Sequence, residues 1–206
     1  MNISYAVTVC NEFIEIQKLL PFLVTNKKPQ DEIVVLYDKS SGSIEVETYL
    51  RMFADETGIN VHTDNFTGHF ADWKNKLTSL CTKEYIYQID ADEMPSAYTM
   101  DFIHEILQHN DVDIFKVPRI NTVEGITPEH IKKWKWGINE QGWINFPDYQ
   151  WRLYKNDGKI KWQNKVHEVL TSYKTMAYLP PNEEWCLSHP KTIDKQEKQN
   201  EFYDKL

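Results

Sequence analysis

Apolar and polar positions follow two alternating periods along the first half of the chain. Ser4 to Cys10 (SYAVTVC) is a β-branched, apolar run with the make-up of a strand. Asn11 follows as the expected N-cap, and Phe13, Ile16, Leu19, Leu20 and Leu23 then recur at helical spacing. Glu32 to Tyr37 (EIVVLY) repeats the strand, and the polar loop Asp38-Lys39-Ser40-Ser41-Gly42-Ser43 leads into a second helical set, Val46, Leu50 and Phe53. A third helix is predicted over Phe70 to Cys81, and it delivers the chain into a strand over Tyr85 to Ile89. Strands alternating with helices predict an α/β fold, a mostly parallel sheet covered by helices on both faces. Ligands of such sheets sit beyond the carboxyl ends of the strands. Three polar clusters fall there: Asn11-Glu12, Asp38 with its serines, and Asp90-Ala91-Asp92.

The second half has a different pattern. Ile114 to Arg119 (IFKVPR) reads as a strand, but Asn121 to Asp148 is irregular and rich in glycine, proline and tryptophan, the character of a substrate-binding lobe. Tyr149 to Tyr154 and Val166 to Leu170 (VHEVL) are expected as short strands, with a turn at Asn156-Asp157-Gly158 between them. Thr192 to Leu206 is a polar terminal helix at best. At 206 residues the chain is the size of one domain. Its expected halves are 1–95, for nucleotide binding, and 96–206, for the acceptor side and completion of a metal site.

Composition narrows the function. The 23 basic and 31 acidic residues give a net charge of −8, spread along the chain, which repels phosphate backbones and makes nucleic acid a poor partner. Neither a bilayer-length apolar run nor the pattern of a signal peptide occurs, so a soluble, cytoplasmic protein is expected, without a transmembrane segment. Cys10, Cys81 and Cys186 are odd in number and lack metal-site spacing, so reduced, mostly structural thiols are expected. Trp134, Trp136, Trp143, Trp151 and Trp162 fall in one stretch, where core packing and a sugar-stacking platform are both open readings.

The densest chemistry lies in Glu84 to Glu93 (EYIYQIDADE), a strand that runs into Asp-x-Asp. Asp90 and Asp92 are hard oxygen donors suited to Mg²⁺ or Mn²⁺, which can bridge a diphosphate and neutralise it as it leaves. Taken alone the triplet recurs by chance, and a strand-end aspartate often only caps a helix. His189, held extended by Pro190, is a competent further metal ligand, although a lone histidine is more often structural. In VHEVL, His167 and Glu168 would face opposite sides of a strand, so one of them is expected in the cleft, and Glu168 is the better general base. An exposed ion pair is its plain alternative. Asp38 is a candidate for a base N–H or ribose hydroxyls, or a turn initiator. Arg119, Lys74 and Arg152 are candidate phosphate partners, against the common fate of surface charge. With neither GxxxxGK[ST] nor GxGxxG in the sequence, phosphate must be held by metal and side chains.

Taken in order, AVTVCNE, LYDKSSGS, QIDADE, VPRIN, FPDYQWRLYK, KVHEVL and LSHP resemble the family 2 glycosyltransferases of GT-A fold. They are nearest the branch with bacterial lipopolysaccharide-core glucosyltransferases. The resemblance implies a Rossmann-like nucleotide-diphosphosugar transferase with an aromatic-rich acceptor lobe, in which Val9 and Glu12 line the nucleoside pocket and Asp38 contacts uracil or ribose. It places Asp90 on ribose or water, Asp92 and His189 on Mn²⁺ or Mg²⁺, Glu168 as the base, and Arg152 and Arg119 on the donor phosphate or sugar. The implied reaction is inverting transfer from a nucleotide-sugar donor, uridine-linked, to a carbohydrate or glycan acceptor. The family's acidic pair is here His167-Glu168, and its QxxRW is compressed to Gln150-Trp151-Arg152. The chain is short for the family, which suits a catalytic domain of a longer, multi-domain transferase. Two other readings are a non-catalytic carbohydrate-binding or degenerate module, and a sugar-phosphate nucleotidyltransferase. The latter needs a glycine-rich, basic loop after the first strand, and VCNEFIEIQ is neither.

Overall fold

A computed structural model describes the backbone of residues 1–203 and the side chains of 1–201. The chain runs β1 (Ile3–Val9), α1 (Phe13–Asn26), β2 (Glu32–Asp38), α2 (Ile44–Thr57), β3 (Asn60–Asp64), α3 (Phe70–Leu80), β4 (Tyr85–Asp90), β5 (Met94–Pro95) and α4 (Ala97–His109). It continues through β6 (Ile114–Glu124), α5 (Pro128–Trp134), β7 (Ile144–Lys155), β8 (Lys161–Gln163), β9 (Val169–Thr171), β10 (Met176–Tyr178), a 3₁₀ turn (Glu183–Trp185), β11 (Leu187–Thr192) and α6 (Ile193–Tyr203). The last three residues of the predicted terminal helix lie outside the described residues.

The main sheet has the order β3-β2-β1-β4-β7-β6-β11-β5, with β10 also paired to β6. β1, β2, β3 and β4 pair in parallel, as the alternation of strands and helices predicts. β7 is inserted antiparallel between β4 and β6. β1, β2 and β4 are apolar on both sides because both faces are covered. Tyr5, Val7, Val35 and Ile89 pack with Ile16, Leu20 and Leu23 of α1, Val46 and Leu50 of α2, and Met100, Ile103 and Leu107 of α4. Ala6, Val34, Leu36 and Ile86, the alternate positions, pack with Ala71, Trp73 and Leu77 of α3 on the other face. Burying a large aliphatic side chain contributes roughly 1.5–3 kcal/mol, so these two layers hold the strand ends that form the site.

Several local expectations need revision. Asn11 does not cap α1; Glu12 takes the N-cap position without a side-chain bond to the helix. Val166 to Glu168 is not strand: His167 has φ 55°, a left-handed turn, and pairing starts only at Val169. α4 was not anticipated, although Ser96 caps it through the Thr99 N–H and its buried positions recur at helical spacing. The segment 121–148 is less irregular than its composition suggests, because β6 extends to Glu124, α5 carries a Thr127/His130 capping box, and β7 begins at Ile144. Among the described residues no helix is long and apolar enough to cross a membrane.

Candidate active site

The residues given catalytic, nucleotide-binding or metal roles above all line one cleft of about 1120 Å³: Val9, Glu12, Asp38, Lys74, Asp90, Asp92, Arg119, Arg152, Glu168 and His189. That volume exceeds the roughly 300–1,000 Å³ of a typical small-molecule pocket, so two reactants have room. The cleft opens at the carboxyl ends of β1, β2 and β4, where the three polar clusters converge.

At one end, Glu12 turns back on the β1 terminus and its Oε2 accepts the backbone N–H groups of Cys10 (2.8 Å) and Asn11 (3.1 Å). Burial raises its carboxyl pKa, partly offset by these bonds. Asp38 Oδ1 accepts from Ser40 N (2.9 Å), Ser40 Oγ (2.6 Å) and Phe66 N (3.0 Å), which ties the β2 loop to the chain after β3. Burial works against the charge of Asp38, but these hydrogen bonds prevail and its pKa is lowered. Oδ2 is left to the Cys10 thiol at 3.7 Å and to the cleft. Cys10, expected to be structural, thus lines the site; burial and then the Asp38 charge push its thiol up to about 12.

The Asp-x-Asp pair is divided. β4 ends at Asp90, and Asp92 lies in the turn beyond it, closed by Glu93 N–H to Asp90 O (2.9 Å). Asp90 pairs with Arg152. The β7 insertion explains this contact, because Leu153 lies opposite Tyr87 and so sets Arg152 beyond it, toward the β4 carboxyl end. Glu93, which sequence reasoning passed over, is the hub. It is 1% exposed, accepts a two-pronged bond from Arg152 (Nε to Oε2 2.9 Å, Nη2 to Oε1 2.7 Å), and takes Arg119 Nη1 at 2.8 Å. Burial alone would raise its pKa, but the two guanidinium groups hold it well below the usual range. Arg119 also bonds Asp148 Oδ2 through Nε (3.0 Å) and Nη2 (2.7 Å). Both arginines are therefore committed to carboxylates of the protein.

Asp92 faces His189 instead, and β5 explains why. Met94 and Pro95 pair with Ser188 and Leu187 of β11, clipping the turn after β4 to the strand that carries His189. β11 in turn sets His189 level with Asn121 of β6. Asp148 can only accept, so Asn121 donates Nδ2–H to Asp148 Oδ2 (2.8 Å) and presents Oδ1 to His189 Nδ1 (2.6 Å). Nδ1 thus carries a proton, and Nε2 is turned to Asp92 Oδ2 at 3.4 Å. Burial opposes the Asp92 charge, but the hydrogen bond and charge of His189, then Lys191 and Lys195, hold its pKa far below the usual range.

Among the described residues no cluster of three or more His, Cys, Asp and Glu side chains forms a metal site. A carboxylate and an imidazole whose other nitrogen is anchored nevertheless fit a divalent ion that takes its remaining ligands from phosphate and water. On the other flank, Glu168 Oε1 meets Lys74 Nζ at 3.4 Å, and Lys74 lies 4.7 Å from the Trp162 ring centre. Because the segment turns, His167 and Glu168 both line the cleft, not one of the two as a strand would require. Trp151 and Trp162 line it too, and Trp162 is at the same time core, 3% exposed with its indole N–H on the Tyr154 hydroxyl (3.1 Å). Trp136 lines an adjoining cavity of about 100 Å³, and Trp134 and Trp143 line neither.

No protein-family model matches the sequence. The chain is 26% identical over 175 residues to the SPbeta prophage-derived glycosyltransferase SunS of Bacillus subtilis (strain 168), and equally to the glycosyltransferase SunS of Bacillus phage SPbeta. The match covers 84% of this chain and 35% of the relatives, so the chain spans about a third of their length. Among solved structures it is similar to S. aureus TarS 1-349, with TM-score 0.64 and 13% identity over 92% of this chain and 60% of that one. The complex of TarS 1-349 with UDP-GlcNAc gives TM-score 0.61 and 12% identity over 93% and 59%. The likeness to TarS shows a shared fold, the α/β architecture with a central, mostly parallel sheet.

Proposed function

We propose that the chain is a catalytic domain of a metal-dependent glycosyltransferase of GT-A type, moving a hexose-type sugar from a uridine-linked nucleotide sugar to a carbohydrate hydroxyl with inversion. The observation that carries the reading is the convergence of Asp38, the Asp92–His189 pair and Glu168 on one cleft at the strand carboxyl ends. Support comes from the SunS relatives, named as glycosyltransferases, and from the fold shared with TarS, a protein crystallised with UDP and with UDP-GlcNAc. Residues 1–95 would hold the nucleoside, with Val9, Glu12 and Asp38 at its pocket and Asp90 at ribose or water. Residues 96–206 would supply His189 and the acceptor side. The lipopolysaccharide-core likeness of VPRIN, FPDYQWRLYK and KVHEVL is consistent with a glycan acceptor.

In this mechanism Glu168, oriented by Lys74, takes the proton of the acceptor hydroxyl as its oxygen forms the new bond to the anomeric carbon. The bond from that carbon to the diphosphate oxygen breaks, and the nucleoside diphosphate departs with the electron pair. Asp92 and His189 would hold Mn²⁺ or Mg²⁺, whose chemistry when bound is neutralisation of the diphosphate charge. Arg152 and Arg119 hold Asp90, Glu93 and Asp148 in place.

Transfer and donor hydrolysis across a panel of nucleotide sugars, with and without EDTA, test the reading. Glu168→Gln is expected to lower kcat by about 10²–10⁴-fold while donor binding persists. Asp92→Asn is expected to lose metal response and most activity. Undiminished activity in EDTA and in Asp92→Asn would remove the metal from the mechanism. Sugar binding by calorimetry without nucleotide binding would instead support a non-catalytic module.

A further inference from the structure

We propose that Lys191 and Lys195 form a diphosphate-binding subsite beside Asp92, an inference that rests on the nucleotide-sugar reading of the cleft. The other buried cations of the cleft already have countercharges: Arg119 and Arg152 are held by Glu93, Asp148 and Asp90, and Lys74 faces Glu168. Lys191 differs. It is half-buried, its Nζ donates to the neutral amide oxygen Oε1 of Gln199 (2.5 Å), and no carboxylate lies within ion-pair distance of it among the described residues. An ammonium taken partly out of water without a countercharge is unfavourable. A bound anion would complete it.

The placement follows from the fold. Strand alternation puts Lys191 on the same side of β11 as His189, and the start of α6 brings Lys195 back to the same cleft. Lys195 Nζ lies 3.3 Å from Asp92 Oδ2 and 3.0 Å from Glu15 Oε1. Its ammonium therefore already sits at the carboxylate where the proposed diphosphate would be drawn. A diphosphate entering a cleft lined by so many carboxylates needs a cation that the protein has not already neutralised; Lys191 supplies it, and Lys195, shared between Asp92 and Glu15, adds a second ammonium beside it.

Equilibrium binding of UDP, uridine and inorganic pyrophosphate to the wild type, Lys191→Met, Lys195→Met and Lys191→Arg, each with Mn²⁺ and with EDTA, tests this. The methionine variants should bind UDP and pyrophosphate about ten-fold more weakly, the factor that 1.4 kcal/mol represents, with uridine affinity unchanged. Lys191→Arg should retain most of the UDP affinity, which a merely structural defect at this position would not. Unchanged UDP affinity in both methionine variants, or an equal loss for uridine and UDP, overturns the subsite. A wild type that binds pyrophosphate as tightly as UDP, with no gain from the nucleoside, would assign the lysines to free phosphate instead of a nucleotide donor. A wild type that binds no nucleoside diphosphate at all overturns the donor reading itself.

Discussion

At the scale of single residues, two aspartates one residue apart have different roles because their neighbours differ. Asp90 is neutralised by Arg152, and Asp92 faces an anchored imidazole. Glu93 joins the two, and its burial between Arg119 and Arg152 makes it the most sensitive position near the site. Glu93→Gln replaces an anion by an amide that can accept from one guanidinium but turns N–H donors toward the other. Breaking such a buried pair costs about 3 kcal/mol or more, so urea unfolding should show a lower midpoint with an unchanged slope. A cost within 1 kcal/mol would mean that Asp90 and Asp148 alone suffice to hold the arginines. Asp38 and Asp92 were legible as candidates because a carboxylate after a strand in an α/β pattern is a recognisable chemical signal, whereas Glu168 was picked out from a strand that the structure replaces by a turn. Glu93 was not, since a glutamate two residues into a turn reads as solvated surface until β6 and β7 bring arginines to it. Lys191 had a signal that went unused: it stands two residues beyond His189 on the same strand.

At the scale of elements, the short pieces do most of the positioning. β5 has two residues, yet its pairing with β11 is what brings Asp92 to His189. α1, α2 and α3 and the strands they cover were readable because their buried stripes follow the helical and strand periods. β3, on the sheet edge and largely exposed, had no such stripe. The loop before β10 is pinned by Asp113, whose carboxylate accepts the N–H groups of Lys174 (2.8 Å) and Thr175 (3.1 Å) and the Lys155 ammonium (3.1 Å). Those bonds, the Lys174 N–H foremost, lower its pKa from the ordinary value of 3.8 to about 2. A depressed carboxyl stabilises the fold fully above its unfolded value and loses that contribution as pH falls through the folded value. Between about pH 4 and 2, wild-type stability should therefore drop more steeply than that of Asp113→Asn. At neutral pH that variant should be less stable by about 1 kcal/mol, and parallel acid titrations followed by circular dichroism would measure both.

At the scale of the whole molecule, the proposed reaction requires an acidic chain with net charge −8 to receive an anionic substrate, and Lys191 and Lys195, which line the cleft among its carboxylates, are where it would do so. If the cleft binds a nucleoside diphosphate, UDP with Mn²⁺ at a hundred times its Kd should stabilise the fold by about 2.7 kcal/mol. For a chain of this length that is a rise in Tm of roughly 5–10 °C. A scanning-calorimetry trace unmoved by UDP would count against the donor site. The sequence by itself determined β1, β2 and β4 of the parallel half of the sheet, the faces that α1, α2 and α3 bury and the strand ends that carry the polar clusters, because hydrophobic periodicity and strand-end chemistry are local properties. Only the tertiary structure decided that β7 enters antiparallel beside β4, that β11 aligns His189 with Asn121, and which cations are already paired. Those outcomes depend on contacts between residues far apart in the chain, and local periodicity carries no information about them.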